Sequence, residues 1–454
     1  MKILFQRLST IQKMDSQKMS LFRRPRLKQL IVIPLLLICL GMFLYFSWFD
    51  TSILNLLLPV PEIVSTLPQA DFTSHRPNPH SDSLAPLLNV TVTNTWQISN
   101  TVMFYGRVAP LEDTPDFTIV TLPDTQHYTC GALCGSDEAN FLQQTAWIVN
   151  HCDSHNIVFV THVGDVVEFG GLREREWECA ERAMHSLETY TSPAMPDGIP
   201  YGISPGNHDQ RFGSKLYEQY FGYERFEGRA YYGGHYADNN QNSYQLFSVG
   251  ALDFIVVHLG YDPHPDQDVL DWADELLTTY ADRKAIVVTH SALGWAEPGF
   301  YSWQGQAILD TLDHHPNFSM LINGHYSGEG YRVVPREGHP LVTMRAEYAW
   351  RPAQEGGWMR LLRFLPRENR IEVKTYSPIL GRFERDADSE FSFPYNLQPD
   401  DYTLIGQVSG VTPGEIASMV WEGLESGVTY DWYVEITTAW GTVPSPVWQV
   451  TIGE

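Results

Sequence analysis

The sequence predicts an α/β (α+β) domain with a polar crevice, an all-β sandwich beside it, and an N-terminal transmembrane helix. Three observations predict this. Six short apolar runs between residues 117 and 323 each close on a side chain of a metal-binding type. A basic flank precedes an uncharged apolar run at residues 30–49. Short alternating strands bounded by turn residues lie on either side of the α/β part, at 87–107 and 398–454.

From the N-terminus, residues 1–29 carry eight basic side chains and one acidic one, Asp15, and read as a cytoplasmic tail. The 20 residues of 30–49 carry no charge and are long enough to cross a hydrocarbon core of about 30 Å. Pro34 is tolerated in a membrane helix. The run is longer than a signal-peptide core and no small-x-small cleavage site follows it, so an uncleaved anchor is expected. The basic flank sets the orientation, with the N-terminus cytoplasmic and the remainder extracellular or periplasmic. Residues 50–86 contain Pro, Ser and His without a sustained period and read as a stalk.

The whole chain has 30 Lys+Arg against 54 Asp+Glu. Removing the eight and one of the first 29 residues leaves 22 against 53, a net charge of −31. Such a surface repels DNA and RNA, so nucleic acid is excluded as a partner except as a small nucleotide.

The six runs follow in order. Run 117–122 closes on Asp124 and Gln126, and run 157–163 on Asp165. Run 201–205 closes on Asn207 and His208, and run 254–257 on His258. Runs 285–289 and 319–323 close on His290 and His325. Buried strands of an α/β sheet present their carboxyl ends on one edge, so these tips can share a crevice. One Asp after a strand is ordinarily a helix cap or turn residue. The ordered set is the signal, together with Gly164, Gly206 and Gly324, which suit tight turns close to a bound ion.

With these residues in view, the chain resembles the calcineurin-like metallophosphoesterases of the purple acid phosphatase-like superfamily. The motifs are Asp-Thr-Gln at 124–126, Gly-Asp-Val-Val at 164–167, Gly-Asn-His-Asp at 206–209, Thr-His at 289–290 and Gly-His at 324–325. The resemblance spans roughly residues 115–382. It implies a two-sheet β sandwich flanked by helices, with two divalent metals at the strand ends. It also implies that Asp165 bridges both metals, that Asn207, His290 and His325 complete one of them, and that His208 sits beside the leaving group as a catalytic residue.

Two departures from the family pattern fall on one metal. Gln126 stands where a histidine is usual, and Ser327 stands where the second His of Gly-His-x-His would be. One site keeps Asp165, Asn207, His290 and His325, two oxygens and two nitrogens suited to zinc, iron or manganese. The other is left with the oxygens of Asp124, Asp165, Gln126 and Ser327, a weak site for manganese, magnesium or calcium. Glu329 reads as a solvated loop residue rather than a substitute ligand. Two metals about 3.5–4 Å apart activate water and clamp a phosphoryl group.

Other side chains are expected to serve the fold. His127 falls on the opposite face of a continuing strand, and His162 lies in a strand under the site. His258 either lines the crevice or is structural. Tyr348, Trp350 and Trp358 are expected in the core, the alternative being that they wall the pocket. Cys39 lies in the membrane segment, which leaves Cys130, Cys134, Cys152 and Cys179 with three connectivities. Pairing Cys130–Cys134 and Cys152–Cys179 closes two local loops and fits an oxidising exterior.

The C-terminal strands at 403–409, 417–421, 429–436 and 447–452 resemble a fibronectin type III-like sandwich, which needs about seven. The missing ones are sought at 88–92 and 101–105, giving one domain split between 87–107 and 398–454 with the phosphoesterase inserted in a loop. Two unrelated β appendages are the alternative. The accessory part reads as a spacer, although an exposed Trp440 would suit stacking on a surface glycan. Asn89 and Asn317 lie in glycosylation sequons. The expected function is a membrane-anchored, extracytoplasmic hydrolase of small phosphomonoesters or phosphodiesters. The alternative is a cell-surface binding or adhesion protein with a degenerate, inactive site, which Ser327 favours.

Overall fold

The computed structural model describes residues 79–92, 99–110, 112–295, 299–334, 336, 340–399, 401–438 and 441–453. The α/β part is built on two seven-stranded sheets. In the first, Phe117–Leu122, Ile157–His162 and Tyr201–Ile203 run parallel. Met359–Leu365 pairs antiparallel with Phe117–Leu122 and leads to Arg370–Ser377, on which Arg382–Glu384 and Glu390–Pro394 pair. In the second, Leu252–Leu259, Lys284–Thr289, Phe318–Asn323 and Leu341–Glu347 run parallel. Its edges are closed antiparallel by Gly328–Val334 on one side and by Ser243–Val249 and Tyr232–His235 on the other.

The sheets face each other across one core. Phe117, Ile119 and Phe159 of the first meet Phe254, Ile286 and Met320 of the second. The outer face of the first sheet is covered by helices Ala139–His155 and Glu174–Met184 through Phe141, Ile148, Trp177 and Ala180. Helices Gln267–Thr279 and Trp303–Leu312 cover the second through Leu270, Leu277, Ile308 and Leu312. Strands buried on both faces carry continuous apolar runs, as Phe117–Leu122 and Phe318–Asn323 do. Arg370–Ser377 alternates because one of its faces is less covered. The two helices over the second sheet start on side-chain caps, Asp266 accepting from the Asp268 N–H and Ser302 from the Gly305 N–H.

The accessory part has a six-stranded layer and a two-stranded layer. The first runs His80–Ser81, Trp448–Ile452, Thr429–Thr438, Asn100–Val108, Thr403–Val411, with Gly441–Pro444 also on Thr429–Thr438. The second pairs Leu87–Thr91 with Ile416–Val420. Leu88, Val90 and Ala417 meet Phe104, Trp432 and Val434 in the core between them. Asn100–Val108 lies between Thr403–Val411 and Thr429–Thr438, paired antiparallel with both. This part is fastened to the α/β part by Arg367, which pairs with buried Asp431 at 2.9 Å, and by Asn369, whose amide donates to the Ser445 carbonyl.

The fold class needs one correction. Among the described residues no helix is long and apolar enough to cross a membrane. The longest, Ala139–His155, has 17 residues and a polar face, short of the ~20 apolar residues a span requires. The tail at 1–29, the expected span at 30–49, most of the stalk and Trp440 lie outside the described residues. The transmembrane helix is therefore not part of the observed fold.

The cysteine reading also changes. Cys130 and Cys134 are bonded, but Cys152 and Cys179 are free and buried. They lie on different helices, Cys152 with its thiol donating to the Ile157 carbonyl and Cys179 beside Glu138. Burial pushes the Cys152 thiol up to about 11 and the Cys179 thiol to about 12, so both stay protonated and inert.

Candidate metal centre

Each strand end delivers one part of the site. Asp165 follows Ile157–His162 with φ 48°, and His325 follows Phe318–Asn323 with φ 66°. Left-handed backbone at a non-glycine residue is costly and clusters at functional sites. The neighbouring glycines are needed for clearance. A Cβ on Gly206 would lie 2.2 Å from an Asp165 carboxylate oxygen, and one on Gly324 would lie 2.0 Å from that of Asp124.

Four of the sequence-derived ligands converge. Ligand atoms of Asp165, His290 and His325 lie within 4.8 Å of one another. His290 Nε2 is 3.1 Å from Asp165 Oδ2, 3.1 Å from Asn207 Oδ1 and 3.1 Å from His325 Nδ1. His290 Nδ1 faces the Val163 carbonyl at 2.9 Å and donates to it, which leaves Nε2 turned toward the cluster. Two oxygens and two ring nitrogens thus meet within hydrogen-bond distance of His290 Nε2 or at it. That donor set fits a shared cation.

Asp165 serves both sides of the site. Its Oδ1 accepts the His208 N–H at 2.8 Å while Oδ2 faces His290. Burial opposes its charge, but His290, His208 and His325 hold its carboxyl well below the usual carboxylate range. Burial and neighbouring His290 lower His325 to about 3, leaving it neutral as a metal ligand must be.

Asp124 stands beside this cluster, and Gln126 follows it two residues on. Asp124 accepts the His325 N–H at 3.1 Å. Burial and repulsion from Glu347 and Asp165 push its carboxyl well above the usual range. Gln126 opens the short helix Gln126–Cys130 and is buried, with its amide Oε1 lacking any hydrogen-bond partner. An orphaned buried amide oxygen and mutually repelling buried carboxylates are donors of the type that a harder cation takes.

His208 lies against the same group, its Nε2 4.0 Å from Asp165 Oδ2 and its Nδ1 3.1 Å from Glu168 Oε2. Burial works against its charge, yet Asp165 and Glu168 raise it to about 10. A quarter of its side chain remains exposed, which leaves it accessible from outside.

Several residues escaped the sequence reading. Glu168, half-buried against His208, follows the Gly-Asp-Val-Val motif directly. Asp209 is fully buried and accepts N–H bonds from Gly206, Val166 and Val167 at 2.8–3.1 Å, tying two strand-end loops together. Glu347 closes the apolar strand Leu341–Glu347 and is 1% exposed. The rule that a strand closes on a ligand-type side chain would have found it.

Other expectations change. Glu329 is a buried strand residue bonded to Arg360 at 2.9 Å, Thr375 at 3.0 Å and Ser389 at 2.8 Å, neither solvated nor free to bind metal. His127 lies on a helix rather than a strand, with Nδ1 donating to the Ala349 carbonyl. Tyr348 and Trp358 are buried, but Trp350 is 70% exposed and packs edge-on against His127. His258 is a fully buried residue of strand Leu252–Leu259, bonded to Thr161. His162 accepts the Gly164 N–H at Nδ1 and donates from Nε2 to Thr125, holding the Asp165 turn from below.

Residues 117–326 match the family model described as calcineurin-like phosphoesterase. That family supports phosphoester hydrolysis and divalent-metal binding in general. Among curated proteins the chain is similar to the uncharacterized protein YvnB of Bacillus subtilis (strain 168), at 30% identity over 380 residues. The match covers 77% of this chain but only 28% of that protein's length. Among solved structures it is similar to GAP50, the anchor in the inner membrane complex of Plasmodium (11% identity, TM-score 0.40, covering 63% of this chain and 90% of that one). It is also similar to the purple acid phosphatase PPD1 of yellow lupin (11% identity, TM-score 0.41, covering 69% and 73%).

Proposed function

We propose that the protein hydrolyses small phosphomonoesters or phosphodiesters with two divalent metals, and does so outside the cytoplasm. The observation that carries the reading is the convergence of Asp165, Asn207, His290 and His325 on one point, with His208 beside it. Asp165, Asn207, His290 and His325 would hold one ion, and Asp124, Asp165 and Gln126 would hold the second. Bound there, the ions supply charge for the phosphoryl oxygens and acidify a water.

The protein's own groups do the rest. His208, cationic through Asp165 and Glu168, donates a proton from Nε2 to the leaving oxygen while Glu168 fixes Nδ1. Asp165 stays ionised throughout, orienting the His208 backbone through its N–H. Tyr261, with its ring 5.4 Å from that of His325, screens the cluster from water on one side.

The extracytoplasmic location is supported by the Cys130–Cys134 bond, which persists where the surroundings are oxidising. The strand pairing of Asn100–Val108 with Thr403–Val411 and Thr429–Thr438 supports a fibronectin type III-like domain split between 87–107 and 398–454, with the phosphoesterase at 115–382 inserted.

The test is metal content of the purified protein during manganese titration, with hydrolysis of an aryl phosphodiester and an aryl phosphomonoester followed in parallel. Two bound ions and turnover are expected. His208→Ala should lower turnover about 10²–10⁴-fold with metal content unchanged. No turnover at any manganese concentration would shift the reading to a binding protein with a decayed site.

A further inference from the structure

The replacement of a histidine by Ser327 removes an imidazole from the Asp124 side of the centre, and the neighbouring strand offers a substitute. Leu341–Glu347 runs antiparallel to Gly328–Val334, and the register sets Glu347 directly opposite Gly328, the residue after Ser327. The Ser327 side chain hydrogen-bonds to the Glu347 carboxylate. Glu347 Oε1 accepts the Ala349 N–H at 2.6 Å, whereas Oε2 is buried with no hydrogen-bond partner. The Gln126 Oε1 atom is buried and orphaned in the same way. Asp124, the third oxygen-bearing group, is 1% exposed and is repelled by the Glu347 carboxylate.

Arginines of this region are engaged elsewhere. Arg351 pairs with Glu384 at 2.6 Å, and Arg360 pairs with Glu329 at 2.9 Å. Glu347 is thus a buried acid with one orphaned carboxylate oxygen, and Asp124 and Asp165 lie close enough to repel it. Burying like charges without a counter-ion is costly, and a divalent cation is the group that meets all of them.

We infer that Glu347 is a metal ligand, replacing the imidazole lost at Ser327 and completing with Asp124, Gln126 and Asp165 an all-oxygen site for a hard divalent cation. This rests on the two-metal reading above. Mn²⁺, Mg²⁺ and Ca²⁺ suit an all-oxygen donor set, while Zn²⁺ is better served by the site holding His290 and His325. The two positions should therefore differ in selectivity, and Mg²⁺ should displace one of two bound Mn²⁺ ions before the other.

The experiment uses the full chain loaded with Mn²⁺, with elemental analysis for stoichiometry and electron paramagnetic resonance for coupling between paired ions. The wild type should bind two Mn²⁺ ions with a coupled spectrum. Glu347→Gln, which keeps the bond to Ala349, should retain one ion and give an uncoupled spectrum. Glu347→Asp, a milder change that covers the case in which the glutamine variant fails to fold, should weaken the second ion about tenfold or more. If either folded variant binds two coupled ions with wild-type affinity, the assignment of Glu347 is wrong. Fewer than two ions in the wild type would overturn the two-metal reading itself, a distinguishable result.

Discussion

His208 shows how one residue's chemistry is set by two neighbours. Burial alone would make it neutral, but Asp165 and Glu168 raise it to about 10. The stability this contributes is fully present below the ordinary imidazole value of 6.5 and is lost as pH rises through about 10. Glu168→Gln removes one of the raising charges, so His208 deprotonates at lower pH. The alkaline fall in kcat should then move down by about one pH unit or more in this variant. That direction holds even when bound cations offset Asp165, and an unmoved alkaline limb would show that His208 is not the acid. Gly324 sets a second residue-scale constraint through the 2.0 Å clash its Cβ would make with Asp124. Gly324→Ala should weaken one of the two metals about 10–100-fold in a manganese titration while the other is retained. Equal loss of both ions would instead indicate general collapse of the centre.

At the scale of elements, the site depends on turns rather than on strands. The loops after Ile157–His162 and Tyr201–Ile203 are joined by Asp209, which accepts N–H bonds from Val166, Val167 and Gly206. Burial and repulsion from Asp165 raise its carboxyl to about 7, opposed by those three donors. Asp209→Ala would strand three buried donors, each worth about 1–3 kcal/mol when unsatisfied, with water recovering part. A loss of about 3 kcal/mol or more in denaturant unfolding is expected, accompanied by weaker metal binding. A change below about 1 kcal/mol would mean that water or another acceptor takes over. The short helix Gln126–Cys130 illustrates why turn geometry was hard to read. The apolar run before it gives a strand, but nothing local marks the switch to helix that turns Gln126 inward and His127 toward Ala349.

For the whole molecule, the junction of the two parts is the feature to test. Asn100–Val108 has both its neighbours, Thr403–Val411 and Thr429–Thr438, from the C-terminal segment. Deleting residues 398–454 would leave it without a pairing partner on either side and uncover Phe104 and Val102. Limited proteolysis of the truncated chain should therefore cut within 87–107, where the full chain is resistant. Unchanged resistance would show that 87–107 is independently held. The fastening of this part through Arg367 and Asn369 predicts that truncation also lowers the unfolding temperature of the α/β part.

Period and order along the chain determined a good deal by themselves. The six apolar runs lie on or against strands of the two facing sheets, and Asp165, Asn207, His290 and His325 meet where the strand tips converge. This was legible because a buried strand has a continuous apolar signature and its first polar residue falls at its end. The strands at 88–92 and 101–105 were legible from alternation, which reports one covered face. What only the tertiary structure decided are the contacts between segments distant in sequence. Glu329 resembles a loop acid until Arg360 is brought against it, and Cys152 and Cys179 remain apart because their helices hold them in separate surroundings. Glu347 lies opposite Gly328 only because two strands pair antiparallel. Local sequence encodes which face of an element is apolar, whereas the partner of a buried charge is chosen by register and packing.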